Sequence, residues 1–303
     1  SDKTMGIKND ICAVCAGNIK KALENIPPDV FERTEEIRIR EGRKIKIYLP
    51  DEKIVSKETA NAEDIELTAG RISGYSPFAF KEFISSGFIA IKGGHRAGIA
   101  GHAVLKNGQT DMVRDINSVN IRIAHEKKGC AENILQYVYN GKNFKNTVII
   151  SPPAYGKTTV LRDLVRLISD LGINISLIDE RGEICACFKG KAQCDVGENT
   201  DIFDSFPKYE GMLSALRSMA PQIIACDEIG TEKDMNAVEK ISVCGVGLLC
   251  SVHGGNIYEA KKRLGICSEE FSVFVILKKD NEGRRYADIL DINGNVLGKE
   301  VCL

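Results

Sequence analysis

The segment Ser151 to Thr159, SPPAYGKTT, follows an apolar run and opens a helical one. It matches the phosphate-binding pattern G-x-x-x-x-G-K-[ST] at Gly156, Lys157 and Thr158, with Ser151 in place of the first glycine. Each matching residue type has a physical task. Gly156 lets the backbone bend so that successive N–H groups turn inward on phosphate oxygens. A helix beginning near Lys157 adds partial positive charge at the same spot. Lys157 would reach the β- and γ-phosphates, and the Thr158 hydroxyl would ligate Mg²⁺. Pro152 and Pro153 stiffen the stretch that begins without its glycine, and Ala154, Tyr155 and Thr159 complete the expected loop. The expected cofactors are therefore ATP and Mg²⁺.

Acidic residues at strand ends supply the second half of such a chemistry. Ile223 to Ile229 (IIACDEI) is an apolar run closed by two carboxylates. Asp227 would hold Mg²⁺ through its water shell, and Glu228 would polarise an attacking water. Leu177 to Ile184 (LIDERGEI) places Asp179, Glu180 and Glu183 at and just past another strand end. Ligands of parallel α/β sheets bind at that edge, so an acid there can position water or metal. His253 in SVHGG follows a third apolar run and can line the same edge or sense a γ-phosphate.

The elements that must position these residues alternate in type. Apolar runs at 147–151, 175–180, 222–229, 247–254 and 272–279 are spaced by helical patterns after Lys157 and near 209–220 and 231–244. Continuous Val/Ile/Leu strands separated by helices predict a parallel sheet covered on both faces. The first part of the chain reads differently. A helical pattern spans 10–25, alternating strands flank Glu41-Gly42 within 35–49, and one or two helices lie in 62–84, interrupted near Ser76-Pro77. Strand, Gly-rich turn and strand follow in 87–101, and 118–124 alternates again. An N-terminal mixed α/β domain with an antiparallel sheet is expected over 1–140, and an ATPase domain over 141–303, with the polar stretch GKNFKN (141–146) as the junction.

Composition bounds the rest. At roughly 150 residues per domain, 303 residues suggest about two domains. A net charge of −1 argues against a chain that coats nucleic acid or anionic membrane by bulk charge. With 43% hydrophobic and 27% charged residues the chain is expected to fold rather than remain disordered. The longest apolar run, Ile241 to Val252, falls short of the ~18 to 20 residues a membrane helix needs. No charged-then-apolar signal opens the sequence, so a cytoplasmic protein is expected. The eleven cysteines, including the CAVC pair Cys12 and Cys15, lack a second ligand pair at zinc spacing. They are expected to be small buried or partly buried residues, with no metal site among them.

GKTT, LIDERGE, IIACDEIG and SVHG in this order resemble the Walker A, acidic box, Walker B and His box of the secretion-superfamily (type II/IV secretion-like) P-loop ATPases. EIRIREGR (36–43), GGHRAGIAG (93–101) and SVNIRIA (118–124) resemble marks of the sporulation branch of that superfamily. Gly230 stands where transport ATPases often carry an arginine, in keeping with that branch. The resemblance covers roughly 35 to 265 and implies a RecA-like P-loop core. It puts Glu180 in the acidic box and His253 in the His box. It further implies an N-terminal domain that closes over the nucleotide and supplies arginines, for which Arg96, Arg114 and Arg122 stand in the family-like stretches. A guanidinium there would neutralise charge growing on the γ-phosphate.

The expected function is Mg²⁺-dependent ATP hydrolysis. By resemblance the protein is a hexameric, ring-forming motor, cytoplasmic and peripheral to the membrane, docked on membrane-embedded subunits of a secretion-like channel in endospore formation. A RecA-like nucleic-acid motor is one alternative. It would want a basic module with interleaved aromatics, and the net charge supplies none. A non-hydrolysing ATP-dependent scaffold, with Glu228 idle, is the other.

Overall fold

Alternating and continuous apolar runs fold into two separate sheets, each with its own core. The computed structural model describes residues 2–302, and the side chains of all of these except 2–5, 77, 80, 82 and 85. The chain forms two units: Ser1–Glu126 with Ala186–Gln193, and Lys127–Cys185 with Cys194–Leu303.

In the first unit, helices α1 (Asp2–Val14), α2 (Gly17–Glu24) and α3 (Pro28–Arg33) precede strands β1 (Glu36–Arg40), β2 (Lys44–Tyr48) and β3 (Lys53–Thr59). Helices α4 (Ala62–Ser73) and α5 (Pro77–Ser86) lead to β4 (Ile89–Ile91), β5 (His95–Lys106) and β6 (Gln109–Arg122). The sheet order is β3-β2-β1-β6-β5-β4 and every pairing is antiparallel. Alternation decides the faces: Ile37, Ile39, Ile45 and Ile47 point into a core with Ile11, Ile19, Leu23 and Ile65, while Arg38 and Arg40 point the other way. The single helix expected over 10–25 is instead two. The chain turns at Gly17, whose φ of +49° is open to glycine, and a Cβ there would lie 1.6 Å from Asp64 Oδ1.

The second unit begins with α6 (Glu132–Val138) and continues as β7 (Thr147–Ser151), α7 (Lys157–Asp170), β8 (Ile175–Asp179) and β9 (Thr200–Asp204). Then come α8 (Lys208–Ser218), β10 (Ile223–Cys226), α9 (Glu232–Val243), β11 (Gly247–His253) and α10 (Ile257–Leu264). Strands β12 (Val273–Lys279), β13 (Arg285–Asp291) and β14 (Val296–Cys302) finish it. The polar segment 141–146 lies inside this unit, after α6. The order is β14-β13-β12-β7-β11-β10-β8-β9. From β12 to β9 all neighbours are parallel, and β13 and β14 close one edge as an antiparallel hairpin. Strands β7, β8 and β10 are buried at every position, as a sheet covered on both faces requires. This is a RecA-like core following a mixed α/β unit.

Most cysteines pack as small apolar residues, Cys226 and Cys250 side by side on β10 and β11. Cys244 departs from the expected burial. It caps the exposed end of α9, next to Val243, and faces solvent.

Candidate functional site

Parallel strands deliver their C-terminal ends to one edge, and β7, β8, β10 and β11 bring the expected residues there. The loop after β7 runs from Pro152 to Gly156. Ala154 has φ +63° and Gly156 φ +93°, the two left-handed positions that fold it back. Gly156 is the N-cap of α7, and its carbonyl accepts the first helical bond from the Val160 N–H at 3.0 Å. Lys157 and Thr158 thus occupy the first turn, where amides lack helical partners. Ser151 keeps an ordinary backbone conformation, so the missing glycine is not required for the turn. Its hydroxyl donates to the Pro152 carbonyl at 2.9 Å.

Lys157 and Glu228 meet across the edge, Nζ to Oε1 at 2.9 Å. Glu228 also pairs with Arg181, Oε2 to Nη1 at 3.1 Å. The hydrogen bond from Lys157, aided by the Lys157, Arg181 and Lys208 charges, outweighs partial burial and holds the Glu228 carboxyl below its ordinary range. Its backbone is fixed as firmly. The Glu228 N–H donates to Ser251 Oγ at 2.9 Å, and Lys208 Nζ donates to the Glu228 carbonyl at 2.8 Å. Those bonds hold φ at +35°, a strained value for a residue with a Cβ, costing about 1 to 3 kcal/mol.

Asp227, beside it, is 4% exposed. Among the described residues no donor is bonded to its carboxylate. Burial pushes its pKa up to about 6; Lys208 pulls downward, while Asp179, Glu228 and Glu183 push further up. A buried carboxylate without donors, set among other acids, fits a divalent cation. No group of three or more His, Cys, Asp or Glu side chains gathers around a metal position among the described residues. The Thr158 hydroxyl and the Asp227 carboxylate are the residues here that would hold Mg²⁺.

Asp179 works on the loop that follows β8. Its carboxylate accepts from the Glu183, Ile184 and Cys185 N–H groups at 2.9, 3.1 and 2.8 Å. Glu180 accepts from the Lys208 N–H at 3.1 Å and lies 3.5 Å from Lys208 Nζ. His253 ends β11 in register with Ser151, beside the start of the loop. Arg96, Arg114 and Arg122 lie in the first unit. Arg96 and Arg122 face each other across β5 and β6. Arg96 covers the Phe88 ring at 4.2 Å, and Arg122 lies 3.9 Å from Glu36. Arg114, in the far half of the β5–β6 ribbon, pairs with Asp115 at 3.5 Å.

Sequence reasoning missed Arg181, Lys208 and Ser251. Arg181 stands inside LIDERGEI and Ser251 inside SVHGG, so both carried a positional signal. Lys208, after Pro207, carried none.

A family model described as sporulation stage III, protein AA, matches residues 5–297. The stage III sporulation protein AA of Bacillus subtilis (strain 168) is 36% identical over 300 residues, covering 96% of this chain and 97% of that protein. Among solved structures, the pilus retraction motor PilT with bound ADP aligns with TM-score 0.61 at 13% identity, covering 90% of this chain and 81% of that one. The ATPase DotB of Legionella pneumophila aligns with TM-score 0.56 at 14% identity, covering 86% and 77%. At such identities the two structures speak to the fold.

Proposed function

The chain belongs to the sporulation stage III protein AA family, and from that premise we propose that it is a Mg²⁺-dependent ATPase, a ring-forming hexameric motor for a secretion-like channel in endospore formation. The observation that carries the catalytic part is the 2.9 Å contact of Lys157 with Glu228, beside the donorless carboxylate of Asp227.

The loop amides and Lys157 bind the phosphates. Thr158 and Asp227 would hold Mg²⁺, which would supply neutralising charge to the phosphates. A γ-phosphate competes for Lys157 and so frees one oxygen of Glu228, which then accepts the proton of the attacking water. Arg181 and Ser251 keep Glu228 aimed, and Glu180 positions Lys208, which grips the Glu228 backbone. His253 lines the loop. Arg96, Arg114 and Arg122 are the candidates to add a guanidinium to the phosphates, and the hexamer supplies the setting in which a neighbour's first unit can do so. Among the described residues no helix is long and apolar enough to cross a membrane, so in this reading the motor docks on membrane-embedded subunits.

A coupled assay of turnover and nucleotide affinity, with mass measured with and without ATP, tests this. Lys157→Ala should abolish binding or turnover while the protein stays folded. Glu228→Gln should keep affinity and cut turnover by roughly a hundredfold or more, the scale of lost general-base assistance. Undiminished turnover in Glu228→Gln would make Glu228 idle, and absence of turnover in the wild type would favour the scaffold reading.

A further inference from the structure

The β12–β13 hairpin carries four cations, Lys278, Lys279, Arg284 and Arg285. Two are neutralised locally: Lys278 pairs with Asp288 at 2.6 Å, and Arg284 with Asp280 at 2.7 Å and Glu282 at 3.0 Å. The other two have no carboxylate partner among the described residues. They are also directly opposite each other in the ladder, Lys279 against Arg285. Like charges directly opposite each other are mildly destabilising, so an anion placed between this pair would be stabilising.

Both unpaired cations lie against the phosphate-binding loop. Lys279 Nζ sits 4.7 Å from the centre of the Tyr155 ring. A Cβ built on Gly156 would lie 3.2 Å from Arg285 Nη1, so the guanidinium rests against the very residue that caps α7. Topology explains the approach. Strand β12 is parallel to β7 with Ile276 beside Ile150, and it runs on to Lys279, level with the loop.

Sheet order then says which end of a nucleotide the cations would meet. The loop stands at the end of β7. Asp227 and Glu228 follow β10, two strands away on one side, while β12 and β13 lie on the other. The bond to be cleaved must face the base and the metal ligand, so the γ-phosphate points toward β10. The diphosphate end therefore points toward the hairpin. We infer that Arg285 and Lys279 form a cationic clamp, within the same subunit, on the α/β-diphosphate of the bound nucleotide, distinct from any arginine that acts on the γ-phosphate. The inference rests on the nucleotide reading above. In this reading the ligand is the counter-ion of the like-charged pair. Because ADP keeps those phosphates, the clamp holds product as firmly as substrate.

Titration of the full chain with fluorescent N-methylanthraniloyl ADP, and competition by ATP and by pyrophosphate, tests it. Arg285→Gln and Lys279→Gln should each weaken ADP, ATP and pyrophosphate alike by about tenfold, the loss of one charge-assisted contact. Arg285→Lys, which keeps the charge but not the planar fork, should lose less than Arg285→Gln. Arg284→Gln, one residue away and already paired, should bind as wild type. ADP affinity unchanged in both glutamine variants overturns the clamp, as does a loss confined to ATP, which would mark a γ-phosphate contact. If Arg285→Gln does not fold, Lys279→Gln decides the matter, since Lys279 is exposed and its removal leaves the core intact. Failure of the wild type to bind ADP, with Lys157→Ala indistinguishable from it, would instead defeat the nucleotide reading itself.

Discussion

Asp227 has the costliest environment of the site residues, because it is buried, ionisable and without a donor among the described residues. Its pKa of about 6 in the fold exceeds the ordinary value of 3.8, so the folded state binds the extra proton between the two. Stability attributable to this group is therefore lower above pH 6 and recovers as pH falls through 6 toward 4. Asp227→Asn removes the ionisation and should stabilise the protein at pH 7.5 by about 2 to 3 kcal/mol, an advantage that shrinks toward pH 4. Thermal melts across that range check this, and a melting difference independent of pH would refute the burial account. Mg²⁺ with nucleotide should raise the melting temperature of the wild type more than that of the variant. The carboxylates and the lysine are legible in the sequence because their types and spacing are set by the chemistry. Arg181 and Ser251 lie inside readable motifs, but their work on Glu228 is not legible there, and Lys208 carries no signal at all. That work depends on which strand ends become neighbours.

At the scale of elements, legibility tracks burial. Strands β7, β8, β10, β11 and β12 are continuous apolar runs and can be read directly, as can helices α7, α8 and α9 between them, whereas the short, polar α10 cannot. Strands β3, β9, β13 and β14 are edge or half-exposed strands whose residues are mixed, KIVSKET and VLGKEVC for example. Nothing short of their pairing distinguishes them from loops. Missing β13 also hides Arg285 from a sequence reading. The loop after β8 shows how one element end is made rigid. Asp179 gathers three N–H groups of residues 183–185, so Asp179→Ala leaves three donors without their acceptor. A loss of about 3 kcal/mol in unfolding free energy is expected, read by chemical denaturation. The same variant should also lower nucleotide turnover, because Arg181 and Glu180 sit on that loop. Unchanged stability would mean that the loop is held by something else.

For the whole molecule, the division into units has a practical consequence. The Ala131 N–H donates to buried Asp163 on α7 at 2.9 Å, and the Cys130 thiol donates to the Thr159 carbonyl at 3.7 Å. The stretch before 141 thus supports the helix that carries the loop. A fragment of residues 127–303 should melt several degrees above one of 141–303, in which Asp163 loses the Ala131 donor while keeping Arg166 at 2.7 Å. Equal melting temperatures would show that α6 adds nothing to the second unit.

The excursion of residues 186–193 into the first unit bears on how the protein is made. The Gly93 N–H donates to Gln193 Oε1 at 2.8 Å, and Gly94 lies close to Ala186. A ribosome delivers the first unit as far as Glu126, then spells out β7, α7 and β8 before this last piece emerges. At ~5 to 20 residues per second the lag is on the order of seconds, far longer than a small sheet takes to collapse. In that interval the contacts of Gly93 and Gly94 with Gln193 and Ala186 are still to form, and their completion is timed by translation of the other half.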